Sequence, residues 1–142
     1  MRNVGAVLSA LLLVTVATAP AGEKEDWNRI GQGRAFFIAN CTRCHGALAQ
    51  GVSEGTEGVA RERLDLTRIA ERNGGKFDGA RVFQVVYGVY DVGPGENREM
   101  PVWGRALARH GSRGAGWAQI QCASLVAFLE YIQDHPPVMA KR

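Results

Sequence analysis

Cysteine, histidine and methionine are scarce in this chain of 142 residues, which contains three of each. An odd number of cysteines argues against a simple framework of internal disulfides. Clustered basic residues are also missing, although the formal net charge is +3, and phosphate recognition needs such clusters. Nucleic acid is therefore not a predicted partner.

Signals for other classes of protein are absent as well. No stretch alternates apolar and polar residues with the period of two that marks a half-buried strand, so no strand is predicted. No nucleophile stands beside a general base in a recognisable motif, and no glycine-rich phosphate-binding motif is present. The sequence therefore does not predict an enzyme.

The single long apolar run lies at the N-terminus. Arg2 supplies a positive charge, residues 4–16 are almost wholly apolar, and Ala19-Pro20-Ala21 fits the small-x-small pattern of a signal cleavage site. We predict cleavage after Ala21, because a cut after Ala19 would place Pro20 directly behind it. An uncleaved membrane anchor is the alternative, although the run is shorter than the ~20 residues that a spanning helix needs.

The predicted organisation is a signal peptide over residues 1–21 and one mature domain over residues 22–142. A chain of this length suits a single compact domain. Export places the protein in the periplasm, which is an oxidising compartment. No membrane span is expected after cleavage, since no other stretch is long and apolar enough.

Hydrophobic periodicity predicts four helices and therefore an all-α fold. The helices cover residues 27–41, 66–72, 78–87 and 117–132. Asp26 and Asp65 stand where N-caps are expected, and Gly88 and Pro136 stand where the third and fourth helices should end. Glycine-rich loops are predicted over residues 46–58, 88–104 and 111–116. Long ordered loops are unusual in a small domain, and a buried cofactor would organise them.

Cys41-Thr42-Arg43-Cys44-His45 is the motif that carries chemistry. Two thiols three positions apart can add to the two vinyl groups on one edge of a haem, and His45 can then reach the iron from that side. This is the attachment motif of haem c. A redox dithiol or half of a zinc site is the alternative. A zinc site would need further ligands from among Cys122, His110 and His135.

Met100 is the predicted second axial ligand of the iron. Thioether sulfur suits haem iron and raises its reduction potential. Met1 lies in the signal peptide and Met139 in a charged tail, whereas Met100 lies in a loop and is followed by Pro101. Ligation through His110, or an open sixth position, is the alternative.

With these motifs the sequence resembles the class I c-type cytochromes over roughly residues 27–134. The resemblance is close in the haem motif at 41–45, in Met-Pro-x-Trp-Gly at 100–104 and in the terminal amphipathic helix at 125–129. Family members also carry a glycine eight residues, and an aromatic four residues, before the first haem cysteine, and Gly33 and Phe37 stand there. The resemblance implies that Gly33 lets the terminal helix cross closely, against Phe128.

The resemblance implies the cytochrome c fold around one covalently bound haem c, held by Cys41, Cys44, His45 and Met100, with His45 and Met100 on the iron. The implied activity is transfer of single electrons between redox partner proteins, as a soluble carrier or as the haem subunit of a respiratory oxidoreductase. A small haem enzyme, or a gas or redox sensor with a labile Met100, is the alternative. Members often have a proline after the haem motif, whose carbonyl accepts a hydrogen bond from the histidine. No proline lies between Cys44 and Pro94 here, so the partner of His45 is not predicted.

Several other positions have two interpretations each. Arg98 and Trp103 flank Met100 and are candidates for hydrogen bonds to the haem propionates, or are a solvated arginine and a core tryptophan. Cys122 is predicted to be a buried packing residue, with an intermolecular disulfide as the alternative. Residues 106–116 are either a loop that docks a partner or a solvated connection.

Overall fold

The computed structural model describes residues 21–52, 64–89, 100–110 and 114–137. Six helices lie in these ranges: α1 (Ala21–Asn40), α2 (Thr42–His45), α3 (Ile69–Arg72), α4 (Gly79–Tyr87), α5 (Trp103–His110) and α6 (Gly114–Asp134). The β pairing within them is limited to an isolated antiparallel bridge between Gln50 and Asp65. The prediction of an all-α fold is confirmed for this part of the chain.

Local sequence signals define both ends of α4. The Asp78 carboxylate accepts a hydrogen bond from the Arg81 backbone N–H at 3.0 Å, which satisfies one of the N–H groups that the first turn of a helix leaves without a partner. Gly88 follows the helix in the left-handed conformation, with φ of +90°, and so ends it. The prediction for this helix is confirmed, with Asp78 as its cap.

The prediction of a helix over residues 66–72 is wrong in its first half, because α3 begins only at Ile69. Asp65 does not cap it. The Asp65 carboxylate instead accepts hydrogen bonds from the Thr67 N–H at 2.9 Å and from the Thr67 hydroxyl at 2.6 Å. Such local bonds from Asp to the backbone two residues ahead stabilise a turn in competition with a helix.

Helix α6 lies at the centre of the fold and packs on α1, α4 and α5. The core contains Phe37 of α1, whose ring lies 5.4 Å from that of Phe128 on α6. Three apolar residues that periodicity assigns to buried helix faces are exposed instead, namely Trp27 (54%), Ile38 (50%) and Ile120 (58%). Ile38 directly follows Phe37, and successive residues of a helix differ by about 100° in direction, so Ile38 lies at the edge of the buried face.

Helices α1 and α6 cross at Gly33. A Cβ atom at this position would lie 2.9 Å from Phe128 Cβ and would overlap the Ser124 carbonyl oxygen. Only a residue without a side chain permits this approach of two backbones. The close crossing of Gly33 against Phe128, which the resemblance implies, is present in the structure.

Helix α5 occupies a region in which the glycine content predicts loops. The Trp103 ring packs edge-on against Phe36, with centroids 5.4 Å apart, and Leu107 packs against the same core. Residues 106–116 are therefore not a single loop, because α5 extends to His110 and α6 begins at Gly114.

Residues 1–20 of the predicted signal peptide lie outside the described residues, as do Arg98 and Met139. The predicted cleavage after Ala21 would fall between the first and second residues of α1. None of the helices in the described ranges has the length and apolar character needed to cross a membrane.

Candidate functional site

The two cysteines of the haem motif lie on one helical turn, residues 41–45, which we call the motif turn. The Cys41 carbonyl oxygen accepts hydrogen bonds from the backbone N–H groups of Cys44 at 3.3 Å and His45 at 3.0 Å. Residues three apart on such a turn face the same side. Cys41 and Cys44 are free thiols and both are half-buried. The turn therefore presents two thiols to one side, as attachment to one edge of a planar cofactor requires.

His45 has a defined tautomer because of its hydrogen bond. Its Nδ1 lies 2.8 Å from the Leu64 carbonyl oxygen. A carbonyl only accepts, so Nδ1 carries the proton and Nε2 keeps its lone pair. Burial lowers the pKa of His45, and the hydrogen bond to Leu64 partly opposes that shift. His45 is therefore neutral near pH 7, which is the form that binds a metal.

The chain after His45 turns back sharply beside the motif turn. Gly46 has φ of +72°, and a Cβ there would lie 2.7 Å from the Gly51 carbonyl oxygen, so glycine is required. The Gly51 N–H donates to the His45 carbonyl at 2.9 Å. Ala49, which is fully buried, also has a positive φ, of +57°, and its carbonyl accepts from the Leu66 N–H at 2.7 Å. These bonds hold the segment that contains Leu64 against the loop that follows His45.

The sequence did not predict the role of Leu64. Its contribution is a backbone carbonyl, which every residue possesses, and it lies nineteen positions from His45. The acceptor for His45, which the sequence left without a prediction, is thus the Leu64 carbonyl.

Met100 and Cys41 pack against the same hydrophobic core cluster. Both are only partly buried, and so are Trp103 and Leu107, which pack there too. Trp103 packs against this core, and its hydrogen bond to a haem propionate stays a prediction. His110 is the last residue of α5. The described residues therefore place the motif turn and the predicted methionine ligand on one apolar body.

The environment of Cys41 differs from that of a redox-active thiol. Burial raises the pKa of Cys41 to about 12, and the nearby thiols of Cys44 and Cys122 add to the effect. A redox dithiol needs a cysteine whose pKa is lowered, because the thiolate is the nucleophile. A dithiol of the thioredoxin type would also lie in a fold with strands, and the described residues form none.

No three side chains of His, Cys, Asp or Glu form a metal-binding group among the described residues. His135, one of the residues considered for zinc, stacks on the Tyr131 ring with centroids 4.4 Å apart. A haem iron needs no such group, because one histidine and one thioether are sufficient protein ligands.

No protein-family model, no curated protein and no solved structure matches this chain. Function must therefore be inferred from the chemistry of the motif turn and of Met100. The two half-buried thiols, the neutral imidazole with a free Nε2 and the shared apolar cluster fit a haem attached through Cys41 and Cys44 and bound at its iron by His45.

The third cysteine, Cys122, is fully buried in α6, and burial raises the pKa of its thiol to about 11. The prediction of a buried packing residue is confirmed.

We expect no reaction of folded Cys122 with iodoacetamide at pH 8, since the thiol is inaccessible and protonated. If Cys41 and Cys44 are linked to haem as thioethers, Cys122 alone of the three cysteines should react with iodoacetamide after the protein is denatured. Cys122→Ala should lower the free energy of unfolding by on the order of 1 kcal/mol, because one small apolar group is removed from the core. It should not change the oligomeric state of a monomeric protein. Loss of a native dimer from this substitution would contradict the packing role.

Proposed function

We propose that this protein is a periplasmic mono-haem c-type cytochrome that transfers single electrons between redox partner proteins, as a soluble carrier or as the haem subunit of an oxidoreductase. The observation that carries the proposal is the hydrogen bond from His45 Nδ1–H to the Leu64 carbonyl, 2.8 Å long, at the end of a turn that presents Cys41 and Cys44. This hydrogen bond fixes the orientation of the imidazole ring and leaves the lone pair of Nε2 available to bind a metal.

Cys41 and Cys44 hold the cofactor covalently. Each thiol would add across one vinyl double bond, so that an S–H bond and a C=C π bond would be replaced by C–S and C–H bonds. No oxidant is consumed, and both cysteines must be reduced beforehand. Their positions on one helical turn make both additions compatible with a single orientation of the cofactor.

His45 and Met100 are the proposed iron ligands. The haem iron supplies a centre that alternates between the ferric and ferrous states by one electron. His45 donates through Nε2 while the Leu64 carbonyl maintains its tautomer. Met100 donates a soft, neutral sulfur, which favours the ferrous state. Two ligands that remain bound in both states suit electron transfer, since no coordination site opens for substrate.

Cys41 and Met100 both pack against the apolar core cluster, which would place low-polarity side chains beside a haem held by these residues. Low polarity disfavours the ferric state, which carries the extra positive charge. Carrier function needs such control of potential, and the apolar packing of Cys41 and Met100 supports the proposal in this respect.

Mass spectrometry of the exported protein tests the proposal. The mature polypeptide should carry the mass of one haem, and that haem should survive extraction with acidified acetone. Cys41→Ala and Cys44→Ala should each remove one thioether link, whereas the matched control Cys122→Ala should retain both, because Cys122 is buried in the core. Haem that is extracted freely from the wild type would contradict the proposal.

A further inference from the structure

The side chain of Gln133, near the C-terminus of α6, connects that helix to the first turn of α3 and to the chain segment before it. Its Oε1 accepts a hydrogen bond from the Ala70 N–H at 2.9 Å. Its Nε2 donates to the carbonyl oxygens of Leu66 at 3.0 Å and Leu129 at 2.6 Å. Because N–H groups donate and carbonyls accept, these partners define the orientation of the amide unambiguously.

Leu66 is held from two sides. Its carbonyl accepts from Gln133, and its N–H donates to the Ala49 carbonyl at 2.7 Å. The neighbouring Asp65 forms the bridge with Gln50. The segment is thus fixed between α6 and the loop after His45, and Leu64, two residues earlier, provides the carbonyl that binds His45 Nδ1–H.

We propose that Gln133 is a positioning residue that holds the Leu64 carbonyl in place against His45 and thereby tunes the reduction potential of the haem. The tuning part depends on the function proposed above. The positioning part concerns only this chain and applies with or without cofactor.

The physical link is the strength of one hydrogen bond. A carbonyl that accepts from Nδ1–H makes the imidazole a stronger donor at Nε2, and a stronger donor favours the ferric state. If Leu64 moves away, the bond weakens, His45 becomes a poorer donor and the potential rises. Loss of the Gln133 amide would also leave the Ala70 N–H and the Leu66 carbonyl without their partner, which favours a shift of the whole segment.

Gln133→Met removes the amide and keeps the length of the side chain. Gln119→Met is the matched control, because Gln119 lies on the same helix and is exposed. We expect Gln133→Met to raise the reduction potential, by up to about 59 mV for a tenfold change in the ferrous-to-ferric ratio of a one-electron couple. Exchange of His45 Nδ1–H with solvent, followed by NMR, should be about tenfold faster, as expected for loss of one hydrogen bond. Gln119→Met should change neither.

Gln133→Glu is the second variant, and it replaces Gln133→Met if that variant does not fold. A glutamate keeps an acceptor for the Ala70 N–H and lacks the donor for the Leu66 carbonyl, so the Nδ1–H exchange rate should change in the same direction. The exchange rate is the readout for this variant, because the added carboxylate charge by itself favours the ferric state. Lower stability with wild-type potential and exchange would reduce Gln133 to a structural residue and overturn the inference. Absence of haem from the wild type would contradict the proposed function instead, and the Nδ1–H exchange rate would still decide the positioning role.

Discussion

Replacing Gly33 with alanine should destabilise the protein by about 3 kcal/mol or more, toward the upper end of the cost of overpacking a core. The added Cβ would overlap the Ser124 carbonyl oxygen and lie 2.6 Å from its carbonyl carbon. These are backbone atoms of α6, which cannot rotate away as a side chain can. The helices would have to separate, and the contact of Phe37 with Phe128 would weaken.

Urea unfolding of variants with equal haem content measures this effect. Gly31→Ala is the matched control, because it lies two residues away on α1 and a Cβ there would meet no atom within 4 Å. That substitution should stabilise the protein by roughly 0.5–1 kcal/mol through the better helix propensity of alanine. Equal unfolding midpoints for Gly33→Ala and the wild type would contradict the close crossing of α1 and α6.

The parts of the fold that sequence could predict are those with local causes. Helix α4 has its cap, Asp78, and its terminator, Gly88, adjacent in sequence, so its ends could be predicted. Helix α5 has no such signals, and it contains Gly104, a poor helix former. Gly104 is needed because a Cβ there would lie 2.6 Å from the Tyr87 carbonyl oxygen. A tertiary contact overrides propensity here, and sequence periodicity does not contain that contact.

The candidate site also combines residues that are close in sequence with contacts between segments that are distant in sequence. Cys41, Cys44 and His45 lie within five consecutive residues, so their placement on one turn could be predicted from spacing alone. The Leu64 carbonyl and the Gln133 amide act on His45 through chain segments that are distant in sequence and meet only in the folded protein. Backbone acceptors have no residue signature, and a glutamine near the end of a helix is ordinarily a solvated residue. Both contributions therefore required the structure.

Replacing Met100 with alanine should lower the reduction potential on the order of 100 mV or more, within the range of about 0.8 V over which axial ligands act. Alanine supplies no donor atom, so water would take the position of the sulfur. The soft sulfur favours the ferrous state, and its loss favours the ferric one. Pro101 disfavours the helical region for Met100, which biases this residue toward an extended path. The proposed attachment through Cys41 and Cys44 does not depend on Met100, so the haem should remain bound.

Potentiometric titration and carbon monoxide binding to the reduced protein at neutral pH test this prediction. In the proposed site Met100 occupies the iron, so the wild type should not bind carbon monoxide, whereas Met100→Ala should bind it. Met139→Ala is the matched control, since it removes a methionine that lies in the charged tail of the sequence, and it should behave as the wild type. Binding of carbon monoxide by the wild type would favour the sensor or enzyme alternative with a labile Met100. If Met100→Ala matches the wild type in potential and in ligand binding, Met100 is not the ligand and His110 becomes the leading candidate.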